Sequence, residues 1–229
     1  MDSIQIEIRN RVNIREINRY LGYGAKMPDD SVNALITEVL EELMCAVKPR
    51  NLYQLYHSSV LGSQVILEAP DKKMIFESQN LADNLSQCEK VVLMAATLGL
   101  EADKLLQKYE LVNMPKAAVA QACGAACIEA YCNILQEQIC DAQSEYGRKL
   151  YLRPRFSPGY GDLPLQYQGT IFQALECTKR IGLTLTDSLL MYPTKSVTAF
   201  IGLTANPQSC HIGKCAQCSN IECEFREGA

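Results

Sequence analysis

Apolar residues recur along this chain with two different periods. Ile4, Ile6 and Ile8 alternate with Gln5, Glu7 and Arg9, the two-residue period of a strand. From Val32 the period becomes helical. Val32, Leu35, Ile36, Val39, Leu40, Leu43, Met44 and Val47 lie three and four apart, after Asp29-Asp30-Ser31 and before Pro49. Between these two stretches, Asn13 is placed to cap a short helix that reaches Tyr20 and stops at Gly22. Residues 52–76 read as a few short strands, with Pro70-Asp71 at one turn. Ser78 to Gln87 reads as helix. The run Val91-Val92-Leu93-Met94-Ala95-Ala96 has no polar interruption, as expected of a strand buried on both faces.

Thr97-Leu98-Gly99 leads from that run into a helix ending near Tyr109. Asn113 and Pro115 then open the longest helix, which runs to about Glu145 and closes at Gly147. Its middle is rich in Ala, Gly and Cys, and such small residues let a helix pack closely at the centre of a fold. Leu152 to Pro164 contains three prolines and two glycines, which excludes a helix there. Gln168 to Arg180 returns to helix and stops at Gly182. Leu183 to Met191 and Ser196 to Leu203 read as two strands joined through Tyr192-Pro193-Thr194. The pattern describes one α+β unit over residues 1–208, followed by a short cysteine-rich tail over 209–229.

Composition narrows the function. The chain has 229 residues, 48% of them hydrophobic and 21% charged, with a formal net charge of −4. No block of like charge marks a nucleic-acid or membrane surface as partner. The longest nearly uncharged run, Ala117 to Gln136, carries Glu129 and several amides, so a membrane span is not expected. The start, Met1-Asp2-Ser3-Ile4-Gln5, has neither a basic end nor an apolar signal core, and the expected location is the cytoplasm.

Eleven cysteines are many for such a chain, and an odd number cannot all pair. Cys45, Cys88, Cys123, Cys127, Cys132, Cys140 and Cys177 lie in apolar segments and read as small buried hydrophobes. Cys210, Cys215, Cys218 and Cys223 crowd into the tail, with Gly213 among them. Four thiolates in that spacing suit one soft metal centre, either zinc or an iron–sulfur cluster. His211 and Lys214 read as solvated loop residues.

Two further sites carry candidate chemistry. Glu129 is the only charged residue between Ala117 and Gln136, and its helical neighbours are Ala125, Ala126, Cys132 and Asn133. A carboxylate on so small-sided a face must find a donor, either an internal cation or a ligand. The segment Arg155-Phe156-Ser157-Pro158-Gly159-Tyr160 follows Pro154. Its prolines hold the backbone extended, Gly159 admits a close neighbour, and Arg155 offers a planar fork for a carboxylate.

These residues bring a family into view. Val91 to Pro207 resembles the activation (reactivation) domain of cobalamin-dependent methionine synthase. The resemblance rests on Thr97-Leu98-Gly99-Leu100-Glu101-Ala102-Asp103, on Ile128-Glu129-Ala130-Tyr131, on the Arg-x-x-x-Gly-Tyr of Arg155 to Tyr160, and on Leu185 to Pro193 followed by Ser196-Val197-Thr198. It implies a twisted, mainly antiparallel sheet flanked by helices, in a stand-alone form of that domain. It also implies S-adenosylmethionine binding. Arg155 would hold the methionine carboxylate, Ser157 would contact the ligand through its backbone, Gly159 and Tyr160 would shape the pocket, and Glu129 would sit beside it.

The implied reaction is reductive methylation of cobalamin, in which no side chain of this protein acts as nucleophile. The synthase holds its cobalamin through an Asp-x-His-x-x-Gly motif. Here His57 and His211 are the only histidines, and neither lies in such a motif. The cobalamin would therefore reside on a partner, a methionine synthase or other corrinoid protein. An electron would come from the tail cluster or from a flavodoxin or ferredoxin. Two alternatives use the same scaffold. One is a non-catalytic corrinoid-protein chaperone, which fits Ile201 at a position where the family often has an aromatic contact. The other is an iron–sulfur electron carrier.

Overall fold

The computed structural model describes residues 1–24, 26–69, 72–88, 90–144 and 149–206. The elements are α1 (Ser3–Arg11), α2 (Ile14–Tyr20), α3 (Asp30–Ala46), β1 (Arg50–Leu61), β2 (Gln64–Ala69), β3 (Lys72–Glu77), α4 (Gln79–Leu85), β4 (Lys90–Thr97), α5 (Leu100–Val112), α6 (Met114–Gln143), β5 (Tyr151–Leu152), α7 (Tyr167–Leu175), α8 (Cys177–Ile181), β6 (Thr184–Leu185), β7 (Met191–Tyr192) and β8 (Ser196–Thr204). The main sheet has the order β3-β2-β1-β4-β8-β5, and every pairing in it is antiparallel. The fold is the expected α+β arrangement.

β4 shows why an uninterrupted apolar strand is needed. Val92, Met94 and Ala96 enter one core, packed by α1, α2, α3, α5 and α6. Val91, Leu93 and Ala95 enter a second, against α4, α7 and α8. β8 does the same, with Ala199, Ile201 and Leu203 on the first side and Phe200 on the second. The long helix α6 is apolar enough to cross a membrane by length and composition, yet 72% of its most apolar window is buried inside the fold. It is the central packed helix.

Three expectations are corrected. The alternating isoleucines at the start form helix α1 rather than a strand. Asp2 and Gln5 close a reciprocal capping box there, and Gln5 and Ile8 are its buried residues, one turn apart. Gln5 also donates through Nε2 to the Val47 carbonyl, 2.8 Å away, at the end of α3. Leu183 to Met191 is not one strand but the hairpin β6–β7, a separate two-stranded sheet. Its turn is built by Thr186, whose Oγ1 accepts from the Leu190 N–H at 3.0 Å. The helix expected from Gln168 to Arg180 breaks at Glu176, whose φ of 53° is left-handed, giving α7 and α8.

Candidate functional site

The proline-rich segment after β5 runs along the free side of β8. The Arg153 N–H donates to the Gly202 carbonyl at 2.8 Å. Phe156 and Phe200 then exchange two backbone hydrogen bonds of 3.0 and 2.8 Å. Pro154 lies between these anchors. An edge tolerates it because a proline there forfeits no ladder hydrogen bond.

This placement carries Arg155 across α6. Its Nη2 donates to Glu129 Oε2 at 2.5 Å. Its Nη1 donates to Asn133 Oδ1 at 2.8 Å and also to Gln136 Oε1. Residues 129, 133 and 136 follow one another at helical spacing, so three acceptors line one stripe of α6. The two charges are unequally covered: the Arg155 side chain is 10% exposed and that of Glu129 45%. The arginine is held, while the carboxylate keeps an open side.

On that side lies a cleft between the N-terminal helices and α6. Arg11, Asn13, Glu16 and Tyr20 form one wall, and Ala126, Glu129, Ala130 and Asn133 the other. Its cavity volume is about 60 Å³, enough for a few atoms. The Tyr20 phenol is pushed up, first by burial and then by the charge of Glu129. The alanines matter here, because larger residues would fill the wall beside the carboxylate.

Beyond Phe156 the chain turns. The Tyr160 N–H donates to the Ser157 carbonyl at 3.1 Å, and the Gly159 N–H to the Leu163 carbonyl at 2.9 Å. Gly159 has φ +91°, a conformation side chains rarely adopt, and a Cβ there would lie 3.4 Å from Leu165 Cδ1. Tyr160 is 59% exposed at the tip.

Of the residues singled out in the sequence, the structure joins Glu129 and Arg155 directly. Ser157, Gly159 and Tyr160 lie in the turn that follows Arg155. Asn133 entered only as a neighbour of Glu129, and Gln136 was missed. Their spacing from Glu129 was the available signal. Ile201 is fully buried in the helical-side core, opposite Val92 of β4. Cys45 is exposed and Cys140 partly so, which corrects the expectation of burial for them; Cys88, Cys123, Cys127, Cys132 and Cys177 are buried. Cys210, Cys215, Cys218 and Cys223 lie outside the described residues. Among the described residues, no group of three or more His, Cys, Asp or Glu side chains could hold a metal ion.

The fold is that of a reactivation domain. The solved structure "Crystal Structure of the MetH Reactivation Domain bound to AdoHcy" superposes with a TM-score of 0.68 at 17% identity, covering 91% of this chain and 78% of the other. At that identity the likeness shows the fold. The family described as "Vitamin B12 dependent methionine synthase, activation domain" matches residues 64–222, and the chain belongs to it. The match begins earlier than the Val91 at which the resemblance was drawn, taking in β2, β3 and α4. Membership gives the chain a role in cobalamin reactivation, with a cobalamin-binding partner. No curated protein matches the chain.

Proposed function

We propose that this protein binds S-adenosylmethionine and supports reductive methylation of cobalamin held by a separate corrinoid or methionine synthase partner. One observation carries the reading. Arg155 and Glu129, 26 positions apart, meet beside a glycine turn in a chain of the activation-domain family. The donor set suits a zwitterionic amino acid. The guanidinium takes its carboxylate, and Glu129 takes its ammonium or a ribose hydroxyl. The fold neighbour was solved with AdoHcy, which shares that amino-acid end and the adenosine. Ser157 offers backbone, and Gly159 and Tyr160 shape the entrance. A ligand carboxylate would compete with Glu129 for the Arg155 fork, so binding is expected to loosen the Arg155–Glu129 contact.

The partner's corrinoid would supply the chemistry: once reduced by one electron it would take the methyl group of S-adenosylmethionine, with S-adenosylhomocysteine as the leaving group. This chain binds and orients the donor and keeps the amino-acid charges paired. His57 is exposed on β1 and lacks the Asp-x-His-x-x-Gly setting, which supports a cobalamin carried elsewhere. We further propose a cytoplasmic location, and a zinc ion or iron–sulfur cluster on Cys210, Cys215, Cys218 and Cys223. With zinc, the electron would come from flavodoxin or ferredoxin. A corrinoid-protein chaperone is the second reading, favoured by the apolar, buried Ile201.

Isothermal titration with S-adenosylmethionine separates the two. Saturable binding supports the first reading, and no heat at millimolar ligand overturns it. Metal analysis with a visible spectrum of anaerobically purified protein decides the tail. Iron with sulfide identifies a cluster, one equivalent of colourless zinc a structural ion, and no metal refutes both.

A further inference from the structure

Helix α4 has seven residues and grips the Arg155 segment at both ends. At its C-terminal end, Asn84 Nδ2 donates to the Pro154 carbonyl at 3.1 Å, and the Ser86 carbonyl accepts from Arg153 Nη2 at 2.7 Å. At its N-terminal end, Asp162 supplies the acceptor. One carboxylate oxygen takes the Ser78 hydroxyl and the Asn80 N–H, the latter at 3.2 Å, and the other takes the Gln79 N–H at 2.8 Å. The Asn80 side chain replies, its Oδ1 accepting from the Asp162 N–H at 3.3 Å. The fit is close: a Cβ on Gly161 would lie 2.3 Å from Asn80 Oδ1. The helix is itself fixed, because Leu81, Ala82 and Leu85 are buried in the second core.

The chain between the two grips contains Arg155, Ser157, Gly159 and Tyr160. We infer that α4 is a splint setting the shape of this segment, and that Asp162 and Asn84 are positioning residues for ligand binding, although neither belongs to the proposed contact set. This rests on the S-adenosyl reading above. A short turn with left-handed glycines has many shapes open to it, and holding both ends of a span removes most of them before a ligand arrives. Asp162 suits the task because a carboxylate bonded to several N–H and O–H donors stays ionised; the Ser78 hydroxyl is the largest cause that holds it below the usual range.

The test uses the full chain, AdoHcy as probe, and two readouts. Asp162→Ala and Asn84→Ala each weaken AdoHcy by about tenfold or more in calorimetry, while the melting temperature stays within a few degrees. Asp162→Asn, which keeps one oxygen acceptor for Ser78 and Asn80 but loses the one for Gln79, restores part of the affinity. Amide exchange at Tyr160 and Leu163 quickens in the alanine variants, while β4 and β8 are unchanged. Unchanged exchange overturns the splint. Faster exchange with wild-type affinity overturns the positioning role and leaves a structural clasp. Should the wild type bind no AdoHcy, the S-adenosyl reading fails on its own, and the exchange comparison still decides whether α4 shapes the segment.

Discussion

Arg155 donates to three acceptors on one stripe of α6, and only Glu129 among them is charged. A ligand carboxylate would compete with that one anion, whereas the amides of Asn133 and Gln136 would continue to steady the fork. Arg155→Ala is therefore expected to weaken S-adenosylmethionine by about 2 kcal/mol or more, roughly thirtyfold, because the ligand carboxylate loses its partner. Calorimetry checks this, and equal affinity would remove Arg155 from the site. Thiols give a second prediction. Burial pushes Cys123 up to about 12 and Cys177 to about 11, and raises Cys127 as well. Since the thiolate is the nucleophile, site-resolved alkylation of the native protein should label Cys45 quickly and these three only on unfolding. Rapid native labelling of Cys123 would mean that the packing around α6 opens readily. The sequence already held the exposure of Cys45. Leu40, Leu43, Met44 and Val47 set the buried phase of α3, and Cys45 falls outside it.

Capping explains which elements could be read from sequence. Asn13, Asp29, Ser78 and Asn113 each accept a backbone N–H of the helix they open. These local signals need no tertiary context, and those helices were legible in the sequence. The start of α1 held a capping box too, but three alternating isoleucines obscured it. The hairpin β6–β7 was lost because Thr186, Asp187 and Ser188 sit inside an otherwise apolar stretch. Asn113→Ala should cost about 1 kcal/mol in urea unfolding, since its side chain accepts from the Lys116 N–H at 3.0 Å where α6 begins. Gly99, between β4 and α5, is more demanding. Its φ is +87°, and a Cβ would lie 2.9 Å from the Lys48 carbonyl oxygen, a backbone atom that cannot swing aside. Gly99→Ala should destabilise by about 2 kcal/mol or more, and a loss under about 0.5 kcal/mol in the same assay would show that the junction adjusts.

At the scale of the molecule, strand order could not be read from the chain. β8 pairs with β4 across about a hundred residues, Thr97 opposite Ser196 and Lys90 opposite Leu203, and no local pattern announces such a partner. The sheet and its flanking helices were anticipated through family resemblance, whereas the two cores follow from which face each strand residue takes. The Glu129–Arg155 meeting has the same character. Each residue stood out alone, by an isolated charge and by a proline–glycine setting, but only the path of the segment along β8 shows that they touch.

The helical layer is also tied by a polar cluster. Lys116 Nζ donates to Glu38 at 3.0 Å and Glu42 at 2.6 Å, while the Tyr109 hydroxyl donates to Glu42 at 2.5 Å, so one knot joins α3, α5 and α6. Burial first, and the Glu42 hydrogen bond next, push the Tyr109 phenol from 10.0 up to about 12. Lys116 is also raised, chiefly by Glu42, so it holds its proton longer in the fold than in the unfolded chain. A group whose proton is held more tightly in the fold contributes stability fully below its unfolded value and loses it as pH climbs through the folded one. Both groups therefore act in the same alkaline direction. Glu42 is opposite: Lys116 first and Tyr109 next hold it low, so its contribution is present above the ordinary carboxylate range and fades in acid. Its side chain is 40% exposed, which makes the acid effect small. Between pH 10 and pH 12 the melting temperature of the wild type should therefore fall more steeply than that of Tyr109→Phe, which keeps the ring and has no proton to lose. Buried thiols and the other tyrosines add the same slope to both proteins, so the difference reports Tyr109 together with its effect on Lys116. Parallel curves would mean that the phenol ionises without strain, and that its hydrogen bond to Glu42 adds nothing to the α3–α5–α6 contact.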